Sequence, residues 1–251
     1  REQINLGQTP RPSHTAGASE AALRRASIYF EDKSEELGVD FISYSGTTAE
    51  KAFPTANGTG VAMLDYDQDG WLDLYFANAC RLDPPTDGPP NALFRSEGGQ
   101  SFQNVTAFGG ADISGFTQGV AVADHDNDGF PDLYLTRYGP NVLLQNMGDG
   151  TFQNHTESSG TGDKRWSTSA AFLDFDEDGS LDLYVANYGQ WDTDWHKTHV
   201  CGVTQRGVRL YCGPKQLDPE VHGLFRSNGD GSYLDVAAEL GIARRDGRGQ
   251  G

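Results

Sequence analysis

No apolar run in the sequence approaches the ~18 residues a membrane-spanning helix needs, so helical insertion into a bilayer is not expected. Positive charge is scarce. Against 36 Asp and Glu stand only 19 Lys and Arg, a net charge of −17, which makes nucleic acid and anionic membrane poor partners. Only three cysteines occur; there is no C-x-x-C of a zinc site and no C-x-x-C-H of covalent c-type haem. G-x-S-x-G, H-E-x-x-H and the phosphate-binding P-loop are also missing. The chain opens at Arg1, without a Met or a signal-like segment, so a processed or partly observed protein is expected. Helix formers do not dominate either: 32 Gly among 251 residues with 36% hydrophobic content is long enough for a sizeable core but points to an all-β chain rather than a bundle.

What is present in excess is patterned aspartate. VAMLDYDQDGWLDLYF, VAVADHDNDGFPDLYL and AAFLDFDEDGSLDLYV each contain D-x-D-x-D-G-x-x-D. The acids are Asp65, Asp67, Asp69 and Asp73 in the first loop, Asp124, Asp126, Asp128 and Asp132 in the second, and Asp174, Asp176, Asp178 and Asp182 in the third. Carboxylates packed so closely repel one another unless a cation sits among them. Acids at positions 1, 3, 5 and 9, a Gly at 6 for the sharp turn and a free backbone carbonyl at 7 (Trp71, Phe130, Ser180) form an all-oxygen cage of calcium type. Three Ca²⁺ ions are therefore expected. An EF-hand is excluded, because its position 12 needs a Glu and a departing helix, whereas here position 12 is Phe76, Leu135 and Val185 within short, alternating, β-rich runs. Each loop should cap a hairpin. The twelve loop aspartates are a third of the 36 acids, which leaves no obvious spare pair for acid/base catalysis.

A second hairpin follows each loop, in NALFRSEGGQSFQNVT, NVLLQNMGDGTFQNHT and HGLFRSNGDGSYLDVA: a strand, a Gly-rich turn, then a strand opening on Phe102, Phe152 or Tyr233. Two hairpins make four antiparallel strands per unit, and repetition of such units is the signature of a β-propeller. From the second hairpin to the next acid loop the distance is 33 residues both times, Asn91 to Asp124 and Asn141 to Asp174. From acid loop to second hairpin it varies as 26, 17 and 48. Insertions between strands two and three thus gather on one face, and such faces often bind. The longest, about residues 187 to 221, carries Trp191, Trp195, His196, His199, Cys201 and Cys212. Because C-x₁₀-C is not a zinc spacing, a surface loop stapled by Cys201 and Cys212, with its tryptophans packed on the blade rim, is expected ahead of a His/Cys metal site or an open aromatic flap. Cys80 is then the odd cysteine. His125, at loop position 2, is read as a solvent or inter-blade residue. The sequons at Asn104 and Asn154 fall where Asp235 stands in the third repeat, so repeat chemistry explains them first; Asn57 begins a third.

GVAxxDxDxDGxxDLYxxN followed by NxLxxNxGDGTFxxVT resembles the FG-GAP/VCBS repeat of integrin-α-type propellers. More narrowly, the stretch from Cys201 to Gly231 is similar to the propeller part of ASPIC/UnbV proteins, relatives of the secreted cartilage acidic proteins. The resemblance covers roughly residues 28 to 251 and implies Ca²⁺ at the three Asp sets named above; it implies no reaction. Blades are expected at about 58–106, 117–156 and 167–237, with an extension at 1–27 and the start of a fourth blade at 248–251. Phe30-Glu31-Asp32 with Leu37-Gly38-Val39 repeats the spacing of Tyr233-Leu234-Asp235 with Leu240-Gly241-Ile242, so residues 28 to 33 are expected to form a fourth strand for ring closure. Three blades are fewer than the four to eight that close a ring, hence the expectation of an N-terminal part of a larger propeller. The function expected is a secreted, periplasmic or cell-surface calcium-binding module that takes a protein or glycan ligand on the insertion face or serves a surface assembly. The alternative is an extracellular polysaccharide-directed hydrolase or lyase, which fold alone does not separate from it.

Overall fold

The computed structural model describes residues 30–245, of which those from Lys33 onward form one unit. Their elements are almost entirely β. Strands β1 (Val61–Leu64), β2 (Asp73–Phe76), β3 (Ala92–Ser96) and β4 (Phe102–Asn104) pair in that order as the first antiparallel sheet. The second runs β5 (Phe116–Ala123), β6 (Asp132–Tyr138), β7 (Val142–Asn146) and β8 (Phe152–Asn154), closed by one helical turn, α1 (Thr156–Ser159). In the third, β9 (Ser167–Leu173) and β10 (Asp182–Asn187) are followed by the insertion. It holds a two-residue clip, β11 (Gly189–Gln190) with β12 (Asp218–Pro219), and the short helix α2 (Thr193–Thr198); β13 (Gly223–Ser227) and β14 (Tyr233–Asp235) then complete the sheet.

Alternation of side chains places the two faces of the second sheet against different neighbours. Leu64, Tyr66, Tyr75 and Leu93 of the first sheet meet Leu133, Leu135, Leu144 and Phe152 of the second in one buried cluster. On β6 the residue between, Tyr134, points the other way and joins Leu183, Val185, Phe225 and Tyr233 of the third sheet. The tyrosine column also carries polar work: Tyr75 donates to Ala111 O at 3.0 Å and Tyr134 to Thr161 O at 2.8 Å, each hydroxyl also accepting from the Asn (Asn91, Asn141) that opens the next strand. A buried phenol is thereby satisfied on both sides. Asn104 and Asn154 accept at Oδ1 from the N–H and hydroxyl of Thr106 and Thr156, so the N-x-T triplets there are turn-closing motifs.

The strand expected over residues 28 to 33 is corrected in part. Ile28 and Tyr29 lie outside the described residues, as do residues 1–27 and 248–251, and Phe30 to Lys33 carry no strand. The sequence match returns in the turn that follows. Leu37 N–H bonds Lys33 O at 2.9 Å and Val39 N–H bonds Ser34 O at 2.8 Å, as Leu240 N–H bonds Val236 O and Ile242 N–H bonds Ala237 O, both at 3.0 Å. Gly38 and Gly241 hold φ of +79° and +72° at the same point, where a side chain would be strained. Leu37 O then accepts from Phe102 N, and Gly109 O from Phe152 N, both at 2.7 Å: these two turns stitch onto the outer strand of the sheet that follows them.

At the end of the sheets opposite the acid loops, the insertion sends Trp191 and Leu217 into a core, while its stapled middle, with Val200, Val203, Val208 and Leu210, is exposed. Trp191 and Leu217 are buried with Phe116, Trp166 and Tyr188, and with Phe53 from the 3₁₀ turn Phe53–Ala56. Glu50 pairs with Arg209 at 2.9 Å, and Tyr211 hydroxyl meets Thr47 and Thr55 Oγ1 at 3.2 and 3.3 Å. Trp195 stacks on His199 with ring centroids 4.3 Å apart. Cys201 and Cys212 form a disulfide and Cys80 is buried and free. Replacing both bridged cysteines by Ser should remove roughly 3 kcal/mol in the chain-entropy account of a loop this size, felt chiefly as local order. The check is limited proteolysis, which should cut the insertion sooner in the double variant; equal cutting rates would deny the staple its role.

Candidate metal centre

Each acid loop folds on its own aspartates. Asp65 accepts at Oδ1 from Asp69 N (3.0 Å) and at Oδ2 from Gly70 N (2.9 Å), and Asp69 Oδ1 takes the N–H of Trp71 at 2.9 Å. Asp124 does the same with Asp128 and Gly129, and Asp174 with Asp178 and Gly179. The fifth-position acids Asp128 and Asp178 likewise hold Phe130 N and Ser180 N. Gly70, Gly129 and Gly179 sit at φ +89°, +95° and +89°, as the sharp turn requires. Position 4 is left-handed too, at Gln68, Asn127 and Glu177, a feature that the mixed residue types there do not announce.

The ninth-position aspartate ties the loop to the sheet. Asp73 is fully buried; its Oδ2 accepts from Tyr66 N at 3.0 Å and its Oδ1 from Ser96 N on β3 at 2.7 Å. Asp132 holds His125 N and Asn146 N, and Asp182 holds Phe175 N and Ser227 N. Burial pushes the Asp73 carboxyl up to about 6 and that of Asp132 up to about 7, with the neighbouring loop acids adding to the rise and the backbone N–H donors opposing it. Among the described residues no Lys or Arg pairs with Asp132. His125 Nε2 lies 4.0 Å away, but burial lowers its own pKa, and it packs toward Tyr233 of the third sheet.

Ligand atoms from Asp65, Asp67 and Asp73 lie within 4.8 Å of one another, as do those of Asp124, Asp126 and Asp132, and of Asp174, Asp176 and Asp182. Each trio could hold a metal ion. Carboxylates gathered this closely around one buried member, and offering oxygen alone, suit a hard divalent cation. The acids at position 5 stand outside the trios, with one oxygen turned to the position 7 N–H. Among the described residues no such group forms from His196, His199 and the two bridged cysteines. Position 12 lies in β2, β6 and β10, so the loops join strands. Position 7 explains the Gly-rich second turn: a Cβ on Gly99 or Gly148 would stand 2.5 Å from the Trp71 ring or 2.7 Å from the Phe130 ring. Arg95 and Gln145, which reach the loops from β3 and β7, were missed as site residues, although the aligned second hairpins place them in one column.

Successive four-stranded antiparallel sheets, each headed by an acid loop that could take a metal ion, define a propeller-like repeat protein. The chain matches the FG-GAP-like repeat family twice, over residues 65–135 and 124–185. Among curated proteins none matches it.

Proposed function

We propose that the protein is a calcium-stabilised β-propeller module that binds or assembles with macromolecules outside the cytoplasm. The observation that carries this is the threefold recurrence of one aspartate cage in one backbone frame. Calcium would be held by Asp65, Asp67, Asp69, Asp73 and the Trp71 carbonyl, by Asp124, Asp126, Asp128, Asp132 and the Phe130 carbonyl, and by Asp174, Asp176, Asp178, Asp182 and the Ser180 carbonyl. Once bound, the ion supplies positive charge and a rigid cross-link; the chain's own carboxylates orient the hairpin ends. Secretion or surface display is supported by the Cys201–Cys212 disulfide, which forms and persists in oxidising compartments. No helix among the described residues is long and apolar enough to cross a membrane. The kinship with ASPIC/UnbV and cartilage acidic proteins, and a larger ring, belong to this proposal. A protein or glycan ligand is placed at the insertion end, where a cleft of about 420 Å³ is lined by Tyr138, Lys164, Arg165, Trp191 and Glu220 among others.

Metal analysis and calorimetry test the reading. Three Ca²⁺ per chain are expected, and Asp126→Ala should reduce that to two without emptying the other loops. Protein purified with calcium and containing none of it would end the proposal.

A further inference from the structure

The three cages share their aspartates but differ in what touches them from the second hairpin. In the first, Arg95 on β3 brings its Nε to 2.8 Å from Asp67 Oδ2 and its Nη2 to 3.9 Å from Asp69 Oδ2. In the second, the same column holds Gln145, whose neutral amide donates to Asp126 Oδ2. In the third it holds Arg226, which among the described residues forms no ion pair with a loop carboxylate. An ion entering loop 1 therefore meets a third-position carboxylate already neutralised by a guanidinium, and a unit positive charge a few ångströms from its own seat. Loop 2 presents the same carboxylate with a dipole only.

We propose that Arg95 makes loop 1 the weakest of the three calcium sites, so that loops 2 and 3 fill first and loop 1 takes its ion in a higher concentration range. The proposal rests on the reading that all three loops bind calcium. Its physical basis is Coulombic. A unit charge at this distance from a divalent ion, in surroundings close to water because Arg95 is 40% exposed, shifts affinity by about three- to tenfold at low ionic strength.

Loop 1 carries its own reporter. Trp71, at position 7, lies beside the cage, whereas Phe130 and Ser180 hold that position in loops 2 and 3. Terbium luminescence excited through Trp should thus follow loop 1, and Trp71→Phe should abolish it. Arg95→Gln is expected to lower the Tb³⁺ midpoint of that signal by about five- to thirtyfold, the trivalent charge enlarging the shift, and the Ca²⁺ Kd recovered from its competition with Tb³⁺ by about three- to tenfold. The converse pair guards against a folding artefact. With Trp71→Phe and Phe130→Trp together, the reporter moves to loop 2, where Gly148 leaves room under the ring as Gly99 does for Trp71. Gln145→Arg added to that background should raise the loop 2 midpoint by a similar factor. A loop 1 midpoint unmoved by Arg95→Gln, or a native loop 1 that fills at or below the concentration that fills loop 2, overturns the proposal while leaving three calcium ions per chain by calorimetry. No terbium signal and no calorimetric calcium binding would instead overturn the reading beneath it.

Discussion

Chelation is expected to lower the melting temperature by roughly 15 to 30 °C. A site at a hundredfold excess of ligand over its Kd contributes about 2.7 kcal/mol, so three independent sites give about 8 kcal/mol, and each kcal/mol is worth about 2–4 °C in a chain of this size. The loss is expected to be large because the cages are not peripheral. Asp73, Asp132 and Asp182 reach from the loops into the sheets and hold backbone N–H groups on the third strand of each. An empty cage leaves those buried carboxylates desolvated beside like charges, and the hairpin ends fray. Scanning calorimetry with and without EDTA measures this directly. An unchanged melting temperature in EDTA, for protein first shown to contain calcium, would sink the structural role of the ion.

The second large effect concerns the opposite end of the sheets. Trp166→Ala should cost about 3–5 kcal/mol, the range for deleting a buried large aromatic, because Trp166 is 4% exposed at the start of β9 and touches Phe53, Tyr138 and Tyr188. Its indole N–H also donates to Gln118 Oε1, which the variant leaves without that partner. Urea denaturation should show the loss as a lowered midpoint, with faster cleavage of the insertion. A change below about 1 kcal/mol would mean that the cluster is a loose flap and not a core.

Much of the candidate site was legible because it was written three times. Identical acid spacing, a Gly at position 6 and a β-branched or aromatic run on either side define a turn between strands by local chemistry, which neighbouring residues suffice to dictate. What local chemistry does not encode is who packs against whom across the chain. The insertion's Trp191 meets Tyr138 and joins the buried cluster that contains Trp166, and its Tyr211 meets Thr47 and Thr55, more than 150 residues away; no spacing rule announces such partners. Segment 28 to 33 shows the converse. Its spacing matches that of an outer strand, yet a strand exists only where a neighbour supplies the ladder, and what the match marks in the described residues is the turn from Lys33 to Val39.

By itself the sequence determined the repeat, the acid cages and the two hairpins per sheet, since these follow from period, charge and turn chemistry within some fifty residues. The tertiary structure alone decided burial. Tyr75, Tyr134 and Tyr184 hold one column of the repeat in nearly identical words, LDLYF, PDLYL and LDLYV. The first two are fully buried and hydrogen-bonded to the turn that follows their own sheet, while Tyr184 is half-buried. The difference lies in the neighbour: a further sheet packs over Tyr75 and Tyr134, and among the described residues none covers Tyr184. Hydrophobic burial is a property of two surfaces in contact, and one strand's sequence supplies only one of them.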